Sequence, residues 1–118
     1  MRFLFLQEKI EKLQATVSML LHLGETGEYI YADDLSRLNN EIYEEINELY
    51  SYHGVNIEQE AALCLAILMG YSVVMYANLQ DELKKQIILN RSQRLFEKLS
   101  SSPLQKQLFA IYNKVTNL

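Results

Sequence analysis

The chain has 118 residues, with four glycines, one proline, one cysteine and no tryptophan. This length fits a single domain over 1–118 and is enough to bury a core without disulfide or metal crosslinks. One cysteine cannot form an internal disulfide, which suits a reducing cytoplasm, and so few glycines and prolines argue against an all-β fold. The net charge of −4 argues against simple duplex-DNA binding, which normally requires a basic domain.

Charge is distributed unevenly along the chain. Residues 25–60 carry ten acids and one base, residues 61–80 carry no charge, and residues 81–118 carry seven bases and three acids. Such polarity usually concerns binding partners rather than the fold. The acidic segment and the basic end are therefore the two candidate interaction regions.

Apolar residues recur at helical spacing from the start of the chain. The first predicted helix covers about 4–23 and ends at Gly24, since glycine is favoured just past a helix C-terminus. The second covers about 34–52, with Asp33 as its N-cap and Gly54 closing it. The predicted inward-facing residues of these two helices are Leu6, Ile10, Leu13, Val17, Leu20, Leu21, Leu35, Leu38, Ile42, Ile46 and Leu49.

The third predicted helix, about 57–77, is apolar on every side after its first turn. Asn56, followed three residues later by Gln59, is a capping-box pattern that marks its start. Gly70 inside the helix indicates close approach of a neighbouring helix. The uncharged run 61–77 has 17 residues, which is at the short limit for a membrane span, and acids flank it on both sides. We therefore expect the central, buried helix of a bundle and no membrane anchor.

Two further helices complete the prediction. The fourth covers about 81–99. The fifth starts at Ser102, with Pro103 at its first helical position and Gln105 at its third. No strand alternation or repeat is visible, so the predicted fold class is all-α, a single compact bundle of about five helices with a buried central third helix. The predicted inner faces of the last two helices are Leu83, Ile87, Ile88, Leu95, Leu99, Leu104, Leu108, Ile111, Tyr112 and Val115.

The residue types that usually catalyse reactions or bind metals do not occur here in the spacings that those roles require. His22 and His53 lie at predicted helix ends, and neither follows a Glu at the spacing that di-iron bundles use. Cys64 falls in the uncharged helix, where a thiol behaves as a small apolar side chain. There is no glycine-rich phosphate loop and no nucleophile elbow. We predict no catalytic residue, no metal and no cofactor, and therefore no enzyme.

The second predicted helix is the better candidate for binding a protein partner. Tyrosine is enriched at protein interfaces, and a cluster of carboxylates complements a basic partner. The alternative is an RNA- or DNA-binding regulator that acts through the basic helices at 81–118. No recognition motif accompanies those bases, so direct nucleic-acid contact is disfavoured. The predicted partner-binding residues are Glu41, Tyr43, Glu44, Glu45, Glu48 and Tyr50.

Two long segments resemble the UpxZ family. Residues 30–44 read IYADDLSRLNNEIYE and are similar to that family's "IY-x-D-x-x-x-RLN-x-E-x-YE" segment. Residues 60–71 read EAALCLAILMGY and are similar to its "EAALCLALLMGY" segment. Shorter stretches at 21–24, 53–54 and 90–92 also fit, so the resemblance covers about 20–112.

The resemblance implies a function. UpxZ proteins are small bacterial regulators of capsular polysaccharide operons that antagonise UpxY proteins, which are NusG-like transcription antitermination factors. A UpxZ from one capsule locus represses transcription of the other loci in trans. The chain is therefore expected to be a cytoplasmic, non-enzymatic inhibitor that binds a NusG-like, UpxY-type factor directly, without a membrane, and the sequence leaves a homo-oligomer open.

Overall fold

The computed structural model describes residues 2–25, 32–74, 79–99 and 102–116. These parts of the chain contain helices and connecting turns but no strand, so the predicted all-α class is confirmed. The five helices are α1 (Arg2–Glu25), α2 (Ala32–Leu49), α3 (Ile57–Val73), α4 (Leu79–Leu95) and α5 (Pro103–Thr116).

Helix α3 is the centre of the bundle, as its sequence predicts. It packs against each of the other four helices. Ten of its 17 residues are buried, because exposing the apolar surface of a helix without a polar face to water is unfavourable. The mid-helix Gly70 lets α2 come close: a Cβ atom there would lie 2.6 Å from Ile46 Cδ1. The predicted close approach at this glycine is confirmed.

The predicted starts of α3 and α5 are confirmed. Asn56 Oδ1 accepts a hydrogen bond from the backbone N–H of Gln59 over 2.8 Å. The Gln59 side chain accepts from the backbone N–H of Val55, one residue earlier than in the standard capping box. Ser102 Oγ accepts from the backbone N–H of Gln105 over 3.1 Å. Side chains thus satisfy N–H groups that a helix start leaves without internal partners.

The helix ends differ from the predicted ones. Helix α1 extends to Glu25, so Gly24 lies within it. Helix α2 begins at Ala32, one residue before the predicted cap Asp33, and ends at Leu49. Beyond Leu49 the chain leaves the helical pattern in a turn, where the backbone N–H of Tyr52 donates to the carbonyl of Leu49 over 3.0 Å. Helix α3 ends at Val73, and residues 75–77 of its predicted span lie outside the described residues. Helix α4 ends at Leu95, before the predicted residue 99.

The orientation of α4 also differs from the predicted one. Asp81 and Arg91 are buried on its inner side together with Ile88, because each polar residue has a partner on another helix. Satisfying these groups rotates α4 so that Leu83 and Ile87 face outward, 57% and 44% exposed. The predicted core residues that the structure leaves exposed are Leu21, Leu35, Leu83 and Ile87.

Candidate protein-binding surface

Helix α2 carries its carboxylates on the flank that borders α1. Thr16 Oγ1 donates a hydrogen bond to Glu45 Oε1 over 3.1 Å, and the ammonium of Lys9 pairs with Glu48. Both contacts join α1 to α2. Glu41 lies one turn before Glu45 on the same flank and pairs with Arg37 at 3.2 Å.

The two predicted tyrosines lie on the opposite side, toward α4, with Tyr43 on α2 and Tyr50 directly after its last residue. Tyr43 donates its hydroxyl hydrogen to the buried carboxylate of Asp81, with oxygen distances of 2.7 and 2.8 Å. Tyr50 is packed against the core, and Lys84 Nζ lies 5.4 Å from its ring centroid. These tyrosines therefore join α2 to α4, and the six predicted residues do not form one face.

Three of the predicted carboxylates remain accessible. Glu44 is exposed, and the side chains of Glu41 and Glu48 are 45% and 50% exposed. Their spacing of three and four residues places them on one side of the helix. We refer to Glu41, Glu44 and Glu48 as the α2 acidic surface.

Glu45 belongs to the α1–α2 interface instead. Its Oε2 atom is buried and accepts no hydrogen bond from the described residues. Burial raises the pKa of Glu45, against the opposing effect of the hydrogen bond from Thr16. A substitution at Glu45 therefore alters helix packing as well as surface charge.

A buried ion pair joins α3, α4 and the segment between α2 and α3. Arg91 donates from Nε to Glu60 Oε2 over 2.8 Å and from Nη2 to Glu60 Oε1 over 2.9 Å. Its guanidinium also donates to the carbonyls of Tyr50 and Tyr52 over 3.4 and 2.9 Å. The backbone N–H of Gly54 donates to Glu60 Oε1 over 2.8 Å. We refer to these five groups as the Glu60 clamp.

The clamp keeps Glu60 ionised although the residue is largely buried. Burial by itself raises the pKa of Glu60, but the hydrogen bonds from Arg91 and Gly54 and the charges of Arg91 and His53 outweigh it. The net result is a pKa below the ordinary carboxyl value. Gly54 has to be a glycine here, because a Cβ atom would lie 2.2 Å from the backbone nitrogen of Glu60.

Sequence reasoning missed the clamp, although a signal for it exists. Arg91 stands three residues after Ile88 and four before Leu95, both of which are buried. A base at core spacing on an amphipathic helix indicates a buried partner. Glu60, at the start of an otherwise uncharged run, is a carboxylate placed to pair with it.

Several bases of the last two helices serve the fold. Arg91 is in the clamp, Lys84 Nζ donates to Asn47 Oδ1 over 3.2 Å, and Lys85 pairs with Glu82 at 3.1 Å. These contacts reduce the set of cations available to phosphate groups, and this observation weakens the nucleic-acid alternative. The exposed bases of α4, α5 and their connection are Arg94, Lys98, Lys106 and Lys114.

The structure also places the side chains that could bind a metal ion and the one thiol. Among the described residues, the His, Cys, Asp and Glu side chains form no groups of three or more that could hold a metal ion. Cys64 is buried, and burial raises its thiol pKa to about 11, so the thiol stays protonated at neutral pH. Within the same residues, no helix combines the length and the apolar character needed to cross a membrane.

Comparison with known proteins identifies the family. Residues 10–113 match the model of the UpxZ family of transcription anti-terminator antagonists. The chain belongs to the UpxZ family. The crystal structure of a transcription anti-terminator antagonist UpxZ from Bacteroides uniformis ATCC 8492 is similar, with a TM-score of 0.80 and 34% sequence identity. The match covers 95% of this chain and 69% of that chain. No curated protein sequence matches.

The resemblance to UpxZ read from the sequence is thus confirmed, and the structure places its segments. The UpxZ-like run 60–71 forms most of the central helix α3, with Glu60 in the clamp and Gly70 against α2. The shorter stretches 53–54 and 90–92 meet at the same clamp. These residues hold the bundle together. Membership of a family of transcription regulators favours a role without catalysis.

Proposed function

We propose that this UpxZ protein inhibits NusG-like, UpxY-type antitermination factors of non-cognate capsular polysaccharide operons by direct protein–protein binding in the cytoplasm. The UpxZ family consists of anti-terminator antagonists, and this membership is the observation that carries the proposal. An antagonist of a protein factor acts most simply by covering a surface that the factor needs.

The α2 acidic surface is the proposed contact. NusG-like factors engage polymerase and nucleic acid, so we expect them to carry basic surfaces. Glu44 has no ion-pair partner among the described residues and is exposed, and Glu41 and Glu48 keep about half of their side chains accessible. Charge complementarity of this kind steers association and selects partners. Tyr43 and Tyr50 position α2 against α4 and contribute to binding through the fold.

The test is binding to the full-length antitermination factor. The variant Glu44→Lys/Glu48→Lys should weaken binding at least about tenfold, because it replaces attraction by repulsion at the contact. Glu45 is left unchanged because its Oε2 atom is buried between α1 and α2, whereas the Glu48 side chain is half exposed. Binding is measured by calorimetry at two salt concentrations, with helicity checked by circular dichroism.

A matched control separates local from overall charge. Glu8→Lys/Glu97→Lys makes the same change in net charge at exposed positions away from α2 and should bind within about twofold of the wild type. Unaltered binding by Glu44→Lys/Glu48→Lys would reject the α2 acidic surface. Salt-sensitive binding of the chain to untranslated leader RNA, with no partner protein present, would favour the nucleic-acid alternative instead.

A further inference from the structure

Within the part of the chain that the structure describes, the helices around α3 leave one side of it uncovered. Helix α1 packs against α2, and α4 packs against α5. Tyr43 and Asp81 join α2 to α4. The described parts of α1 and α5 both pack against α3 but not against each other. The ring of outer helices is therefore open between α1 and α5.

The open side is an apolar groove of about 430 Å³. Leu65 and Met69 of α3 form its floor, and Ala62, one turn earlier, continues the same stripe toward the start of α3. The small side chain of Ala110 on α5 allows a neighbour to approach closely. We refer to this site as the α1–α5 groove, lined by Gln14, Leu65, Met69, Ala110, Ile111 and Lys114.

The two rims of the groove carry opposite charges. On α5, Lys106, Ala110 and Lys114 share one side at four-residue spacing, and the helix contains no acid. On α1, Glu11 lies within one turn of Gln14, and its Oε2 accepts a hydrogen bond from Gln7 Nε2 over 3.1 Å. An occupant that fits both rims presents bases toward α1 and acids toward α5.

We propose that the α1–α5 groove binds one amphipathic helix of the antitermination factor, with its apolar stripe on Leu65 and Met69 and its acidic flank beside Lys114. This inference rests on the proposed function. It adds a second contact to the α2 acidic surface, and the two surfaces border α1 from opposite sides. A groove that is apolar at its floor and charged at its rims is the usual receptor for an amphipathic helix.

Other occupants fit the groove less well. Small-molecule sites need converging polar groups that fix the ligand. Here the floor and the inner side of α5 are apolar, and the polar residues Gln14, Gln107 and Lys114 lie on the two rim helices, α1 and α5. Nucleic acid requires a basic groove, and Glu11 opposes it. A second copy that inserted its exposed α4 stripe, Leu79 to Ile87, would make a head-to-tail contact, which gives rings or filaments in place of a closed dimer.

The experiment measures binding of the full chain to the full-length antitermination factor. Ala110→Trp fills the groove at an exposed position, and Lys106→Glu/Lys114→Glu reverses one rim. Each should weaken binding at least about tenfold. The matched controls are Ala15→Trp on the outer side of α1 and Arg94→Glu/Lys98→Glu near the end of α4 and in its connection to α5. Both should bind within about twofold of the wild type. Thermal melts verify that every variant folds.

A photo-crosslinker at position 110 provides an independent readout. Crosslinking should map to a helical segment of the factor whose apolar residues repeat at three- and four-residue spacing. Crosslinks to a strand, or to a second copy of this chain, would overturn the inference. The inference would also be overturned if both groove variants bound the factor as tightly as the wild type. If Glu44→Lys/Glu48→Lys failed to bind in the same assay, the proposed function would still stand. If the wild-type chain binds no antitermination factor, the proposed function itself fails.

Discussion

Removing one charge of the Glu60 clamp should destabilise the fold more than its hydrogen-bond count suggests. Glu60→Gln keeps the side-chain shape and an acceptor for Gly54, but it leaves the guanidinium of Arg91 buried without a counter-charge. The Arg91 side chain is 8% exposed and that of Glu60 is 17% exposed. Breaking a buried ion pair from one side costs about 3–5 kcal/mol. Because Glu60 retains some contact with water, we expect about 3 kcal/mol for Glu60→Gln.

The opposite variant, Arg91→Met, leaves a different set of groups without partners. Glu60 keeps the hydrogen bond from Gly54 over 2.8 Å, but the carbonyls of Tyr50 and Tyr52 lose their donor. We expect a loss of about 3–4 kcal/mol. In the double variant no charge is left buried. Its decrease in the free energy of unfolding should therefore be smaller than the sum of the two single decreases by about 1–3 kcal/mol.

The assay is urea unfolding followed by far-UV circular dichroism on the four proteins of this double-mutant cycle. Stability should also depend on pH through Glu60. Its folded pKa is lowered, so its contribution is present above the ordinary carboxyl pKa and is lost as the pH falls through the folded value. The difference in unfolding free energy between the wild type and Glu60→Gln should therefore become smaller in acid. Single losses that add to within about 0.5 kcal/mol, or a gap constant with pH, would refute this account.

Three further predictions follow from the glycines and the thiol. Gly54→Ala should lower the free energy of unfolding in urea by about 2–3 kcal/mol, because the new Cβ atom would lie 2.2 Å from the backbone nitrogen of Glu60. Unchanged stability would contradict the close approach. Gly70→Ala should lower the free energy of unfolding by about 1–2 kcal/mol. Ile46→Val deletes the Cδ1 atom that lies 2.6 Å from the new Cβ and should restore part of this stability. Equal decreases with and without Ile46→Val would contradict the contact. Cys64 should react with a thiol reagent only on unfolding, and fast modification of the native protein would disprove its burial.

The helix pattern could be predicted because it is local. The five helices, the caps at Asn56 and Ser102 and the central position of α3 depend on periodicity and on side chains that bind their own backbone. Such signals lie within a few residues of one another, so the chain order alone reveals them. The family segments at 30–44 and 60–71 were visible for the same reason, because each is a continuous run.

The candidate surface could be predicted only in part. The carboxylates of α2 were recognised as a group, but Glu45 turned out to pair with Thr16. The two tyrosines are grouped with them in the prediction because all six lie in one predicted acidic helix, about 34–52, whereas in the structure Tyr43 binds Asp81 of α4. Helical periodicity gives relative directions around one axis and does not tell which neighbour lies on each flank.

The sequence by itself determined that this protein is an all-α bundle around an uncharged helix, and that it resembles UpxZ. Only the tertiary structure decided that Arg91 is buried against Glu60, that Leu83 and Ile87 face outward, and that a groove stays open between α1 and α5. The physical reason is that a buried charge must find its counter-charge across the fold. That requirement overrides the apolar pattern of α4 and fixes its rotation.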